Sequence, residues 1–64
     1  MIQFHVYING KPTKGIFDSL SQAQKSYNKE ATAGEKVEIQ TVNSLGPVER
    51  WYFDKEIGQW IKGA

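Results

Sequence analysis

Cysteine is absent from this chain of 64 residues, and histidine occurs once, at His5. Without cysteine the chain has no disulfide, no thiolate nucleophile and no thiolate metal ligand, which favours a reducing compartment such as a bacterial or phage cytosol. A single histidine has no second histidine or cysteine as a metal co-ligand or relay partner. We therefore predict a non-enzymatic protein without catalytic residues, metal ligands or cofactors, in which His5 faces solvent from a strand.

Long apolar runs are also missing. The longest runs fall far short of the roughly 18 residues that a membrane span requires, and no charged segment followed by an apolar one opens the chain. We therefore expect a cytoplasmic protein that does not bind membranes. At this length we expect a single compact domain spanning residues 1–64, near the lower size limit for a core without disulfides or metal.

The charge is small in total but unevenly distributed. The net charge is +1, which argues against an acidic DNA mimic and does not by itself predict nucleic-acid affinity. Residues 1–29 hold four lysines and one acid, whereas residues 30–64 hold four cations and six acids. The first set of lysines could meet phosphates or an acidic protein surface, or could simply form a solvated helix face and a charged edge strand. These lysines are Lys11, Lys14, Lys25 and Lys29.

The chain begins with a clear strand pattern. Apolar Ile2, Phe4, Val6 and Ile8 alternate with polar or amphipathic residues, which predicts a strand with one buried face. Asn9-Gly10 predicts a tight type I′ turn, so the chain should return through residues 11–17 as a short edge strand. A regular two-residue hairpin would place Thr13 opposite Val6 and Phe17 opposite Ile2, with Phe17 in the core.

A helix should follow over residues 19–33. Ser19 and Gln22 have capping-box spacing, and Gly34 is suited to the positive φ that commonly ends a helix. The apolar residues of this segment form one narrow stripe, and its small alanines would let the helix approach a sheet closely. The stripe comprises Leu20, Ala23, Tyr27 and Ala31.

Three further strands are predicted, over residues 37–42, 48–54 and 59–62. Asn43 to Pro47 forms a loop, and residues 54–58 form a turn that completes a three-stranded meander. The whole chain reads as an α+β domain of order ββαβββ, in which an antiparallel sheet packs on one α-helix. The other face of the sheet should stay open.

The closing segment contains four of the eight aromatic residues. Strand alternation puts Trp51 and Phe53 on one face and Tyr52 on the other, and we expect the first two to join Trp60 in the core. The open face should then display Tyr7, Arg50 and Tyr52 beside His5, Glu38 and Gln40. Tyrosine and arginine are common at protein hot spots, and aromatic rings on an open sheet also stack unpaired bases.

Two segments resemble those of small phage-encoded anti-CRISPR proteins, in which an antiparallel sheet wraps one helix. They are the helix S-L-S-Q-A-Q-K-S-Y and the closing hairpin W-Y-F-D-K-E-I-G-Q-W-I. The resemblance assigns no role to an individual residue. It implies a compact, non-enzymatic protein that blocks a nuclease or its nucleic-acid-binding surface by occupying it.

The leading hypothesis is therefore a non-catalytic protein-binding module, with a phage or mobile-element inhibitor as its specific form. A small nucleic-acid-binding domain that uses lysines on phosphates and sheet tyrosines on bases is the alternative. Pairing of the open sheet or an edge strand with a second copy would give a homodimer. The candidate partner-binding residues are Lys11, Lys14, Lys25, Lys29, Tyr7, Arg50 and Tyr52.

Overall fold

The computed structural model describes residues 2–43 and 45–63, and it has an α+β fold. In chain order the elements are β1 (Gln3–Ile8), β2 (Lys11–Phe17), α1 (Leu20–Ser26), α2 (Asn28–Thr32), β3 (Val37–Val42), β4 (Arg50–Asp54) and β5 (Gln59–Gly63). Strands β2 and β3 have their predicted bounds. Ser44, in the predicted loop, lies outside the described residues.

The five strands form one antiparallel sheet in the order β2-β1-β3-β4-β5. Strands β3 to β5 make the predicted meander, and β1 lies between β2 and β3. Strand β4 begins at Arg50 rather than at Val48, because the Glu49 N–H donates to the Thr41 hydroxyl (2.9 Å) instead of to a ladder carbonyl. The two helices therefore connect strands that flank β1.

The first hairpin contains the predicted tight turn. Asn9 and Gly10 have φ values of +53° and +81°, the left-handed conformation that a type I′ turn requires. The Asn9 side chain also reaches the start of β3. Its Nδ2 donates to Glu35 Oε2 (2.9 Å), and its Oδ1 accepts from the Lys36 N–H (3.3 Å). The turn is thereby fixed to the neighbouring strand as well as to its own hairpin.

The register of this hairpin differs from the prediction. Tyr7 pairs with Pro12 as expected, but Phe17 pairs with Phe4 rather than with Ile2, because an irregularity of β-bulge type lies between. Thr13 accounts for it: its hydroxyl donates to the Val6 carbonyl (2.7 Å) and accepts from the Gly15 N–H (3.0 Å), replacing regular ladder bonds. The shift is two residues, so alternation is preserved and Phe17 still packs against the core.

The helical segment is two short helices rather than the single predicted helix, so the element order is ββααβββ. It begins as predicted, with Ser19 Oγ accepting from the Gln22 N–H (3.2 Å), and Gly34 follows its end with φ +105°. The break falls at Tyr27 (φ −112°, ψ 13°), whose hydroxyl donates to Thr13 Oγ1 (3.4 Å). We attribute the break to this anchoring of the Tyr27 ring on strand β2.

The core lies between the helices and one face of the sheet. Val6, Ala23, Ala31, Val37 and Ile39 are buried, and larger side chains pack around them. Trp51, Phe53 and Trp60, which the sequence predicts in the core, are half-buried and pack against it. Their rings meet edge to face, Trp51 with Phe4 (centroids 5.7 Å apart) and Phe53 with Trp60 (5.4 Å).

Gly15→Ala tests the contact between β2 and the helices. A Cβ at residue 15 would lie 2.7 Å from the Tyr27 ring. That ring is held by the hydrogen bond of its hydroxyl to Thr13 and by an edge-to-face contact with Phe17, whose centroid is 6.1 Å away. We expect the free energy of unfolding to fall by about 1–3 kcal/mol, as for other overpacked sites. The measurement is urea denaturation followed by circular dichroism.

Gly63→Ala is the matched control, because it makes the same change in another strand. There a Cβ would meet Tyr52 at 3.5 Å, an ordinary van der Waals distance. Unfolding free energy should change by less than about 0.5 kcal/mol. Equal effects of the two substitutions would contradict the assigned Gly15–Tyr27 contact.

Candidate functional site

Neither described helix packs on the face of the sheet that carries Tyr7, Glu38 and Tyr52, and we call it the open sheet face. Register places its side chains in rows across the strands. One row runs Tyr7–Glu38–Tyr52–Ile61, and the next runs His5–Gln40–Arg50. Tyr52 is 43% exposed and Ile16, at the edge of the same face, is 51% exposed. The predicted residues Tyr7, Arg50 and Tyr52 therefore share one surface.

A groove of about 480 Å³ runs along this face, and we call it the tyrosine groove. Tyr7 and Tyr52 stand on either side of Glu38, the residue between them in the same cross-strand row. Arg50 belongs to the neighbouring row and does not line the groove. The lining residues are Tyr7, Gly10, Lys36, Val37, Glu38, Gln40, Tyr52 and Phe53.

The centre of the groove presents hydrogen-bond acceptors. Gln40 Nε2 donates to Glu38 Oε2, and since a carboxylate accepts only, this bond fixes which end of the Gln40 amide faces Glu38. Among the described residues, no protein group donates to Glu38 Oε1 or Gln40 Oε1. The only ion pair in residues 2–43 and 45–63 joins Lys62 to Glu49 (3.1 Å). Glu38 is thus a half-buried carboxylate without a cationic partner there.

His5 supports one wall of the groove rather than facing solvent freely. It is half-buried, and its Nε2–H donates to the Thr13 carbonyl (2.7 Å), which the bulge of β2 brings within reach. The imidazole lies against the Tyr7 ring, with centroids 4.8 Å apart. Strand alternation predicts a solvent-facing His5, because it cannot show that the bulge in β2 brings the Thr13 carbonyl next to the imidazole. His5 restricts Tyr7 from the side.

The four candidate lysines lie elsewhere. Lys11 and Lys14 belong to edge strand β2, while Lys25 and Lys29 belong to α1 and α2 on the opposite side of the sheet. Lys25 lines two shallow grooves beside α1, one with Phe17 and one with Trp60. Lys11, Lys14 and Lys29 line neither. The sequence-predicted residues therefore divide among the open sheet face, the edge strand β2 and the helical side of the sheet.

Sequence reasoning placed Glu38 and Gln40 on the open face but did not select them as site residues. Their importance follows from the strand order, which puts β3 between β1 and β4 and so puts Glu38 between two tyrosines. Lys36, at the end of the groove, was also missed, because it precedes the predicted strand. The pairing of β3 with both β1 and β4 is the information that reveals these residues.

Comparison with known proteins adds no assignment: no protein-family model, curated protein or solved structure matches this chain. None of the helices in the described part of the chain is long and apolar enough to cross a membrane. Within those same residues no cluster of three or more histidine, cysteine, aspartate or glutamate side chains is placed to hold a metal ion. The site is therefore interpreted from its own geometry.

Adjacent aromatic residues of β4 should respond oppositely to truncation. Trp51→Ala removes a ring packed against Phe4 and the core, and should lower the free energy of unfolding by about 3–5 kcal/mol, enough to unfold much of the protein. Tyr52→Ala removes a largely exposed ring and should cost less than about 1 kcal/mol. Thermal denaturation of both variants measures the difference. A Tyr52→Ala protein as unstable as Trp51→Ala would mean that Tyr52 is a core residue.

Proposed function

We propose that this protein is a non-catalytic, cytoplasmic protein-binding module that docks its target on the open sheet face. The observation that supports this function is the exposed tyrosine groove, with Tyr7 and Tyr52 on its walls and Arg50 in the next row. Tyrosine supplies a large contact area at low conformational cost, arginine supplies five hydrogen-bond donors, and both residues are enriched at binding hot spots. The face combines them with a cavity.

The chemistry of the groove supports binding rather than catalysis. Glu38 is the only acid among the residues that line it, and Gln40 already donates to one of its oxygens. The described residues of the lining include no serine, threonine, histidine or second carboxylate, and their other titratable side chains are Lys36 and the two tyrosines. We therefore assign the groove to recognition.

The more specific form of the proposal is an inhibitor encoded by a phage or mobile element, acting on a nuclease or another nucleic-acid-processing protein. It rests on the resemblance of the helix and the closing hairpin to small anti-CRISPR proteins. A module of this kind needs no reaction chemistry, since occupying a nucleic-acid-binding surface is sufficient to block it. The open sheet face is the surface proposed for that contact.

Affinity purification from a bacterial host lysate, followed by reconstitution with the purified partner, tests the proposal. The protein should retain one stoichiometric partner, and Tyr52→Ala should weaken the reconstituted complex by at least about tenfold, as loss of a hot-spot ring does. Ile57→Ala, which truncates another exposed side chain, in the β4–β5 turn, should leave affinity unchanged.

Two results would contradict this assignment. Unchanged affinity in Tyr52→Ala, together with loss in Lys25→Glu/Lys29→Glu, would move the docking surface to the helix side. A Tyr52-dependent dimer of the chain itself, seen by light scattering without another protein, would replace the partner with a second copy.

A small nucleic-acid-binding domain is the second candidate, and one observation favours it. Lys11, Lys14, Lys25 and Lys29 form no ion pair with any acid of the described residues, so their ammonium groups remain accessible to phosphates. Lysine–phosphate contacts release condensed counterions, so their contribution to affinity falls steeply with salt. The sequence-based alternative also stacks bases on the sheet tyrosines. Because Tyr7 and Tyr52 lie on the other side of the sheet from Lys25 and Lys29, the present form of the candidate depends on the lysines alone.

Oligonucleotide titrations at two salt concentrations test this candidate. It predicts binding of single-stranded or duplex DNA that weakens as salt increases, is reduced by Lys25→Glu/Lys29→Glu and is unaffected by Glu38→Gln. The charge change at residue 38 is the matched control, because it alters the other side of the sheet. Absence of binding at low salt would eliminate the candidate.

A further inference from the structure

We propose that the tyrosine groove binds an arginine side chain of a protein partner, with its guanidinium on Glu38 and between Tyr7 and Tyr52. This inference rests on the proposed protein-binding function and names the chemistry that the function would recognise. It assigns Glu38 and Gln40 as the residues that select the cation. Three features of the groove lead to it.

The first feature is the set of acceptors at the centre. Glu38 Oε1 and Gln40 Oε1 accept no hydrogen bond from another described residue, while the second Glu38 oxygen is already bonded to Gln40. A neutral ligand with one donor would satisfy only part of this set. A guanidinium has five N–H donors in a planar fork, so it can serve several acceptors at once.

The second feature is the pair of aromatic walls. Tyr7 and Tyr52 flank Glu38 along one cross-strand row, and neither hydroxyl is hydrogen-bonded to a described protein group. The face of a tyrosine ring attracts a cation, and a flat guanidinium also stacks on it. His5 holds the Tyr7 ring from the adjacent row, which reduces the ordering required when a ligand enters.

The third feature is charge complementarity. A half-buried carboxylate has fewer water molecules around it than an exposed one. A cationic donor that binds the carboxylate compensates for these lost interactions with water. Three basic side chains lie near Glu38: Lys36 lines the groove, and Arg50 and His5 belong to the adjacent row. None of them forms an ion pair with Glu38 in the described structure. The carboxylate therefore remains available.

These features favour arginine over the other ligands of an open sheet. A phosphate group at the centre of the groove would lie against the Glu38 carboxylate, which repels it. A lysine ammonium satisfies the carboxylate but lacks the planar stacking surface and the fork of donors. Arginine is also enriched on nucleic-acid-binding surfaces, because it contacts phosphates in a bidentate manner. The groove would thus engage the same residues that such a target uses for its own ligand.

The test is an NMR titration of the ¹⁵N-labelled full chain with Nα-acetyl-arginine amide. The probe should produce saturable shifts at the amides of Tyr7, Glu38 and Tyr52. Nα-acetyl-citrulline amide, a neutral probe of nearly the same shape, should bind at least about tenfold more weakly, because it lacks the charge. Nα-acetyl-lysine amide should also bind more weakly than the arginine probe.

Glu38→Gln should reduce affinity for the arginine probe at least about tenfold while the spectrum of the variant stays dispersed, since the new side-chain amide oxygen can still accept from Gln40. Glu56→Gln is the matched control, because it removes the same charge from an exposed turn residue. Lys36→Ala should not weaken binding. Tightening in that variant would show that Lys36 competes for the groove.

Equal binding of the arginine and citrulline probes, shifts confined to the helix side, or equal loss in Glu38→Gln and Glu56→Gln would each overturn the inference. Stronger binding of the lysine probe would overturn the choice of arginine. If the probe fails while a Tyr52-dependent protein complex forms, only this inference fails. If the probe binds but no protein partner does, the proposed function fails and the groove chemistry stands.

Discussion

Close approach of the two short helices to the sheet is the contact on which the rest of the structure depends. Ala23 and Ala31 are fully buried against a layer that contains Val6 and Ile39. Their small side chains bring the helix backbone near the strands, so a short segment can close the core. All fully buried apolar residues of the described chain lie in this layer. The opposite face of the sheet therefore has no layer packed on it among the described residues. We attribute its exposure to the small size of the chain, which has too few apolar residues for a second core.

Much of this arrangement is predictable from sequence because local patterns and packing agree. Alternation in β1 and β3, the Asn9-Gly10 turn and the Ser19 cap each specify the element that the structure contains. Two features differ from the prediction, namely the register of the first hairpin and the break between the helices. Both involve Thr13, whose hydroxyl bonds to Val6, Gly15 and Tyr27. A side chain that substitutes for ladder bonds changes register without changing hydrophobic pattern, so periodicity could not reveal either the bulge or the helix break.

The candidate site shows the same division between local and non-local information. Tyr7 and Tyr52 are predictable because each occupies the polar phase of a strand. Glu38 is not, since its meaning depends on β3 lying between β1 and β4 and on a register that aligns all three residues. A connection through two helices sets that adjacency. The sequence contains every member of the groove, but only the pairing of distant strands defines their neighbours.

The separation of charge between the two sides limits which ligands one surface can bind. Lys25 and Lys29 project from the helical layer, whereas the open sheet face has acceptors at the centre of its groove. A polyanion that uses the lysines gains nothing from Glu38, and a cationic protein surface that uses Glu38 gains nothing from the lysines. The aromatic residues favour the open sheet face, because half-buried Tyr7 and exposed Tyr52 lie beside the acceptor rather than beside Lys25 and Lys29. Aromatic contact area and an unpaired carboxylate therefore coincide on the open sheet face, which is the arrangement that the proposed docking of a cationic protein surface requires.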